Sequence, residues 1–167
     1  MKFNKRVLMR CGLVAIWAAG LATLGGCATV AAPVSIADTV AGTPELSTLS
    51  RLINDAGLAD TLRAAGPYTL FAPNDEAFKA VPAATLSALA TDKALLKSVL
   101  TFHVLPARSA AAEVKNGSVK TVQGSDLALS KAGTFVTVED AMVLRADLLA
   151  SNGVVHVIDR VLIPAKR

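Results

Sequence analysis

The stretch TLFAPNDEAF, residues 69–78, fixes a strand, a turn and a helix start in immediate succession. Thr69-Leu70-Phe71 is β-prone, Pro73 sets φ, and Asn74 suits the cap of a helix whose first turn holds Asp75 and Glu76. Acids at that end match the positive pole of the helix dipole. A second stretch, NGVVHVIDRVLIP at 152–164, opens on an Asn-Gly turn signal and continues as a strand. Alternation puts Val154, His156 and Ile158 on one face and Val155 and Val157 on the other. Both faces are apolar, so the strand must be covered on both sides.

The N-terminus follows the plan of an export signal. Lys2, Lys5, Arg6 and Arg10 precede the apolar run CGLVAIWAAGLATLGG. That run, Cys11 to Gly26, is short for a spanning helix and is interrupted by glycines. It stops at Leu24-Gly25-Gly26-Cys27, which resembles a bacterial lipobox. The resemblance implies a lipoprotein signal over 1–26, acylation of Cys27 and a membrane contact through that lipid. Ordinary signal cleavage after Ala31, or a retained membrane helix, are the alternatives. Residues 27–34, CATVAAPV, read as a tether. Ala28 lacks the acidic inner-membrane retention cue of such lipoproteins, so the outer membrane is the expected destination, on its periplasmic or surface face.

Removing 1–26 changes the charge reading. The chain has 17 Lys and Arg against 13 Asp and Glu, and four of the basic residues lie in the signal, which has no acid. The remainder balances 13 against 13. No basic surplus is left to attract nucleic acid. Cys11 leaves with the signal and acylation uses Cys27, so no thiol remains for a disulfide, a zinc cage or a nucleophile. Trp17 leaves too, and Tyr68 with four phenylalanines makes a poor stacking platform.

Along the mature chain, SIADTVAG and TPELSTLSRLINDAGL show helical spacing, with Thr43 as a cap, Pro44 in a first turn and Gly57 as a stop. LADTLRAAG, PAATLSALA and TDKALLKSVLTFHV add helices. From residue 116 onwards short β-prone runs alternate with Asn116-Gly117, Gly124-Ser125, Ala132-Gly133 and Asn152-Gly153, the rhythm of an antiparallel meander. Helices first and strands later predict an α+β fold in one domain.

TLFAPNDEAF, LTFHVLP at 100–106 and NGVVHVIDRVLIP together resemble the hallmarks of the fasciclin domain, an extracellular adhesion and interaction module. The resemblance runs from about Ser35 to Pro164, placing the domain at 35–165. It implies a fasciclin-like fold: an antiparallel β-wedge or sandwich with helices packed alongside. It also implies a protein that mediates cell adhesion or protein contact at the cell envelope, with an unknown protein or matrix partner. A carrier of a small apolar ligand between sheet and helices is the alternative.

His103 and His156 each lie inside a hallmark, in contexts that favour burial over catalysis or metal ligation. No Gly-x-Ser-x-Gly or phosphate-loop motif occurs. Asp159 lies three residues from His156, on the other strand face. No catalytic, cofactor-binding or metal residue is therefore expected. In animal relatives integrin adhesion is ascribed to a Tyr-His segment and an Asp-Ile dipeptide. The matching positions here, Phe102-His103 and Asp147-Leu148, form the candidate adhesion surface.

Overall fold

A computed structural model describes residues 34–164. The expected signal 1–26, the acylation candidate Cys27 and the tether up to residue 33 lie outside the described residues, as do 165–167. The helices are α1 (Ile36–Ala41), α2 (Ser47–Asp55), α3 (Ala59–Arg63), α4 (Asp75–Lys79), α5 (Ala83–Thr91) and α6 (Lys93–Phe102). The strands are β1 (Tyr68–Pro73), β2 (Val104–Leu105), β3 (Gly117–Lys120), β4 (Asp126–Ala132), β5 (Phe135–Val138), β6 (Ala141–Ala150) and β7 (Gly153–Ile158). In the described part, all six α-helices precede β2–β7, while β1 lies between α3 and α4, an α+β arrangement.

Local chemistry sets several boundaries. Asn74 caps α4 by accepting the Ala77 N–H at 2.8 Å, and Asp92 caps α6 by accepting from Ala94 and Leu95. Gly57 follows α2 with φ 67°, a left-handed stop. The helix expected from Thr43 is broken: Pro44–Leu46 is a 3-10 turn and α2 starts at Ser47. Thr43 is no side-chain cap, because its hydroxyl donates to the Thr39 carbonyl at 2.7 Å. Asp75 supplies the missing cap from another element, accepting from the Thr48 N–H at 2.9 Å and the Ser47 hydroxyl at 2.8 Å. Partial burial pushes the Asp75 carboxyl up, but these hydrogen bonds outweigh it and hold the group below the usual carboxylate range.

One seven-stranded sheet runs β2-β1-β7-β6-β5-β4-β3. The meander from β3 to β7 is antiparallel as expected, but β1 pairs parallel with β7, from Tyr68 opposite Gly153 to Pro73 opposite Ile158. The sheet is therefore mixed, because the neighbouring strands β1 and β7 are far apart in sequence and no hairpin constrains them. It curls nearly shut: just past β3, the Val122 N–H donates to the carbonyl of Val104 in β2 at 2.8 Å, joining the two edges.

Two cores result. Leu70 and Ala72 of β1 and Val155 and Val157 of β7 pack under the helices against Ile36, Val40, Leu49, Ile53 and Leu62. Phe71 and Ile158 point the other way, into the wedge, with Leu127, Leu129, Val136, Val138 and Phe102. This explains why β1 and β7 are apolar on both faces. Each of these side chains except Ala72 contributes roughly 1.5–3 kcal/mol by its burial.

The turn before β7 departs from the Asn-Gly expectation. Neither Asn152 nor Gly153 has positive φ. Asn152 instead acts through its side chain, accepting the Ile36 N–H at 2.9 Å and donating to the carbonyls of Leu62 and Ala64. It thus ties α1, α3 and the sheet together. Gly153 is required by close approach, since a Cβ there would lie 2.0 Å from the Tyr68 carbonyl oxygen.

Candidate functional site

At the end of α6 the chain turns into β2 through His103, which is 1% exposed. Its Nδ1–H donates to the Val99 carbonyl at 2.8 Å, and Nε2 accepts the Leu162 N–H at 3.0 Å. Only the neutral ring does both. Burial pushes its pKa down to about 4, against the opposing pull of the Val99 carbonyl. The bond to Leu162 pins the C-terminal segment beside Phe102. Together they line an open groove of about 410 Å³, rimmed by Asp126, Glu139, Asp140 and Arg160, with Ile163 half exposed at its edge. The rim is fixed as well: Glu139, at φ 51°, accepts the Ala128 N–H, and Asp159 accepts the Met142 N–H at 2.7 Å.

A second set of buried polar groups holds the loop that follows β2. Thr69, fully buried in β1, donates to the Ala107 carbonyl at 2.7 Å and accepts the Ser109 N–H at 2.8 Å. His156 donates from Nε2 to the Ser109 carbonyl at 2.8 Å and accepts the Asp147 N–H at Nδ1. Its ring stacks on Phe71 at 5.6 Å between centroids. Asp147, left-handed at φ 58° where β6 shifts register, accepts the Ala111 N–H at 2.9 Å. Four backbone groups between Ala107 and Ala111 are thus held from three strands, and the chain at Pro106–Arg108 stays exposed.

The structure divides the adhesion residues expected from the sequence. Phe102 is 5% exposed and His103 is buried, so neither side chain stands on the surface; Phe102 lines the groove, and His103 acts on it through its bond to Leu162. Leu148 is half-buried against the helix-side core. Asp147 alone is exposed, beside the loop and six strand residues from Ala141 at the groove, up to about 20 Å along β6. The four do not form one surface, because Phe102 and His103 are buried while Asp147 is exposed where the irregular β6 meets His156. Sequence reading missed Thr69, Glu139, Asp140 and Arg160. A threonine within an otherwise apolar strand was the one available signal.

Chemically, both ring nitrogens of each histidine are spent on backbone partners, so neither offers a free lone pair as a base or ligand. The buried polar groups order exposed backbone. The arrangement sits on an α+β wedge. The chain belongs to the fasciclin domain family, whose profile matches residues 44–164. It is 41% identical over 133 residues to protein sll1483 of Synechocystis, covering 78% of this chain and 74% of that one. It is 37% identical to the cell surface glycolipoprotein MPB83 of Mycobacterium bovis, covering 77% of this chain and 60% of that one. The immunogenic protein MPB70 of the same species is 36% identical, over 79% of this chain and 69% of that one. The solved FAS1 domain pair of the insect cell adhesion molecule fasciclin I shares the fold, with TM-score 0.59 at 24% identity, over 73% of this chain and 46% of that chain.

Proposed function

We propose that this chain is an exported, lipid-anchored fasciclin-domain protein that makes adhesive or protein–protein contacts at the bacterial envelope, without catalysis or cofactor. The observation that carries the reading is the rigid exposed backbone: buried Thr69, His103 and His156 spend their polar atoms on ordering a loop and a groove wall. A surface that recognises another protein needs such pre-ordering, because ordering it on contact would cost affinity. The name of one mycobacterial relative, a cell surface glycolipoprotein, supports an envelope setting. The lipobox at Cys27 supports the anchor, and Ala28 supports the outer membrane.

Capture of partners from intact cells tests the contact. Asp140→Lys reverses charge at the groove rim, and Asp147→Asn removes charge beside the loop without removing the hydrogen-bond acceptor. Loss of capture with either variant places the contact at that charge, full capture by both moves it to the backbone of the loop, and absence of any specific partner captured by the wild type overturns the reading. Cys27→Ser tests the anchor: the protein should leave the membrane fraction or remain unprocessed.

A small apolar cavity lined by Ile53, Leu58, Leu62, Leu70, Leu100 and Val104 gives the carrier reading its one foothold. It measures about 50 Å³, whereas ligand pockets are roughly 300–1,000 Å³, and the groove of about 410 Å³ is open and rimmed by four charged residues, which does not suit an apolar ligand. Adhesion is therefore the better reading. Native mass spectrometry showing a stoichiometric co-purified lipid or pigment would reverse that order.

A further inference from the structure

We infer that the end of the fold bearing the β6–β7 turn rests against a lipid surface, while the groove end points away from it. The inference rests on the lipid-anchor reading of Cys27. Six residues lie between Cys27 and Val34, so the seven Cα–Cα steps reach about 24 Å at most. Val34 enters the fold at this turn, its carbonyl accepting the Ser151 N–H at 2.8 Å. An acyl chain on Cys27 would therefore hold the turn within that distance of the bilayer.

The surface there suits the task. Leu149 is 66% exposed, the most exposed large apolar side chain of the described residues. Beside the turn lies the uncharged, exposed run Ala64-Ala65-Gly66-Pro67, brought there by the Asn152 bond to the Ala64 carbonyl. Asn152 also satisfies the Leu62 carbonyl, and Ser151 satisfies that of Val34. Backbone acceptors bonded in this way cost little to place in the poorly hydrated headgroup boundary. β6 runs from the groove at Ala141 to this turn, about 30 Å. Anchoring at one end thus leaves the groove displayed at the other.

The test uses the full chain expressed in a Gram-negative host, extracted from membranes and weighed. It is then reconstituted in vesicles of phosphatidylethanolamine and phosphatidylglycerol with brominated acyl chains. Trp17 precedes Cys27, so the processed protein has no tryptophan of its own. Leu149→Trp and Ala65→Trp report the turn end from two elements, and Ile163→Trp reports the groove. The expected result is acyl mass on Cys27, loss of about half the emission at positions 149 and 65, and little loss at 163. If one turn-end variant misfolds by circular dichroism, the other decides. Acylated protein with equal quenching at all three positions, or none, overturns the orientation and leaves the anchor standing. Absence of acyl mass overturns both.

Discussion

Nδ1 of His156 accepts the backbone N–H of Asp147 at 3.1 Å, so a buried ring fastens a left-handed residue nine positions before it in sequence. The same ring donates to Ser109 in the loop after β2. His156→Ala should cost about 1–3 kcal/mol, because it leaves both backbone groups without a partner. Amide exchange should rise in residues 107–111 and at Asp147 while the helices keep their protection. Unchanged exchange in the loop would show that Thr69 and Asp147 hold it unaided.

His103 makes stability depend on pH. Its folded pKa is near 4 and its unfolded value near 6.5, so between those values the unfolded chain binds more protons. The contribution of the neutral ring is complete above about pH 6.5 and falls as pH drops towards 4, a loss of roughly 3 kcal/mol across the window. His103→Gln should flatten that dependence in urea titrations at pH 4.5 and 7. A wild-type midpoint that does not change across this range would refute the assignment. Asp75, with a lowered carboxyl pKa, adds acid sensitivity only below its unfolded value near 3.8.

Asn152 and Gly153 should fail in different ways. Asn152→Ala removes three hydrogen bonds and unfastens α1 and α3 from the turn, at about 2–4 kcal/mol if each bond is worth about 1. Gly153→Ala places a Cβ against the Tyr68 carbonyl of β1, a backbone clash that yielding of the nearby Ile36 side chain would not relieve. It should prevent stable folding, since strand backbones cannot separate without losing the β1–β7 ladder. Measured melting temperatures should rank wild type above Asn152→Ala, with Gly153→Ala lowest.

The sequence made the elements legible and the long-range geometry less so. Asn74, Asp92 and Gly57 act within one helical turn of themselves, and local chemistry is what a sequence displays directly. The burial of His103 and His156 followed from apolar neighbours on both sides. The parallel partnership of β1 and β7 was hidden because it joins segments more than 80 residues apart. Asn152 looked like a turn former because its three partners lie in α1, at the end of α3 and just beyond it. The groove escaped notice for the same reason, as Phe102, Asp126, Asp140 and Arg160 meet only once the sheet has curled.

Asp147 offers the sharpest separation of shape from charge. It combines a left-handed backbone with a carboxylate that accepts the Ala111 N–H. Asp147→Ala loses the hydrogen bond and puts a Cβ-bearing residue without a local polar group at φ 58°, which should cost about 1–3 kcal/mol. Asp147→Gly keeps the backbone comfortable and loses only the bond, so it should lie between alanine and wild type. Asp147→Asn tolerates the same backbone and still presents an Oδ1 acceptor, so its melting temperature should match wild type closely. The asparagine variant therefore isolates charge. If partners are recognised through the carboxylate, capture from intact cells falls with Asp147→Asn although the fold is unchanged. If recognition depends on the loop that Asp147 holds, capture survives in Asp147→Asn and falls in Asp147→Ala in step with stability. Capture that is untouched in every member of the series would direct attention to the groove rim at Asp140.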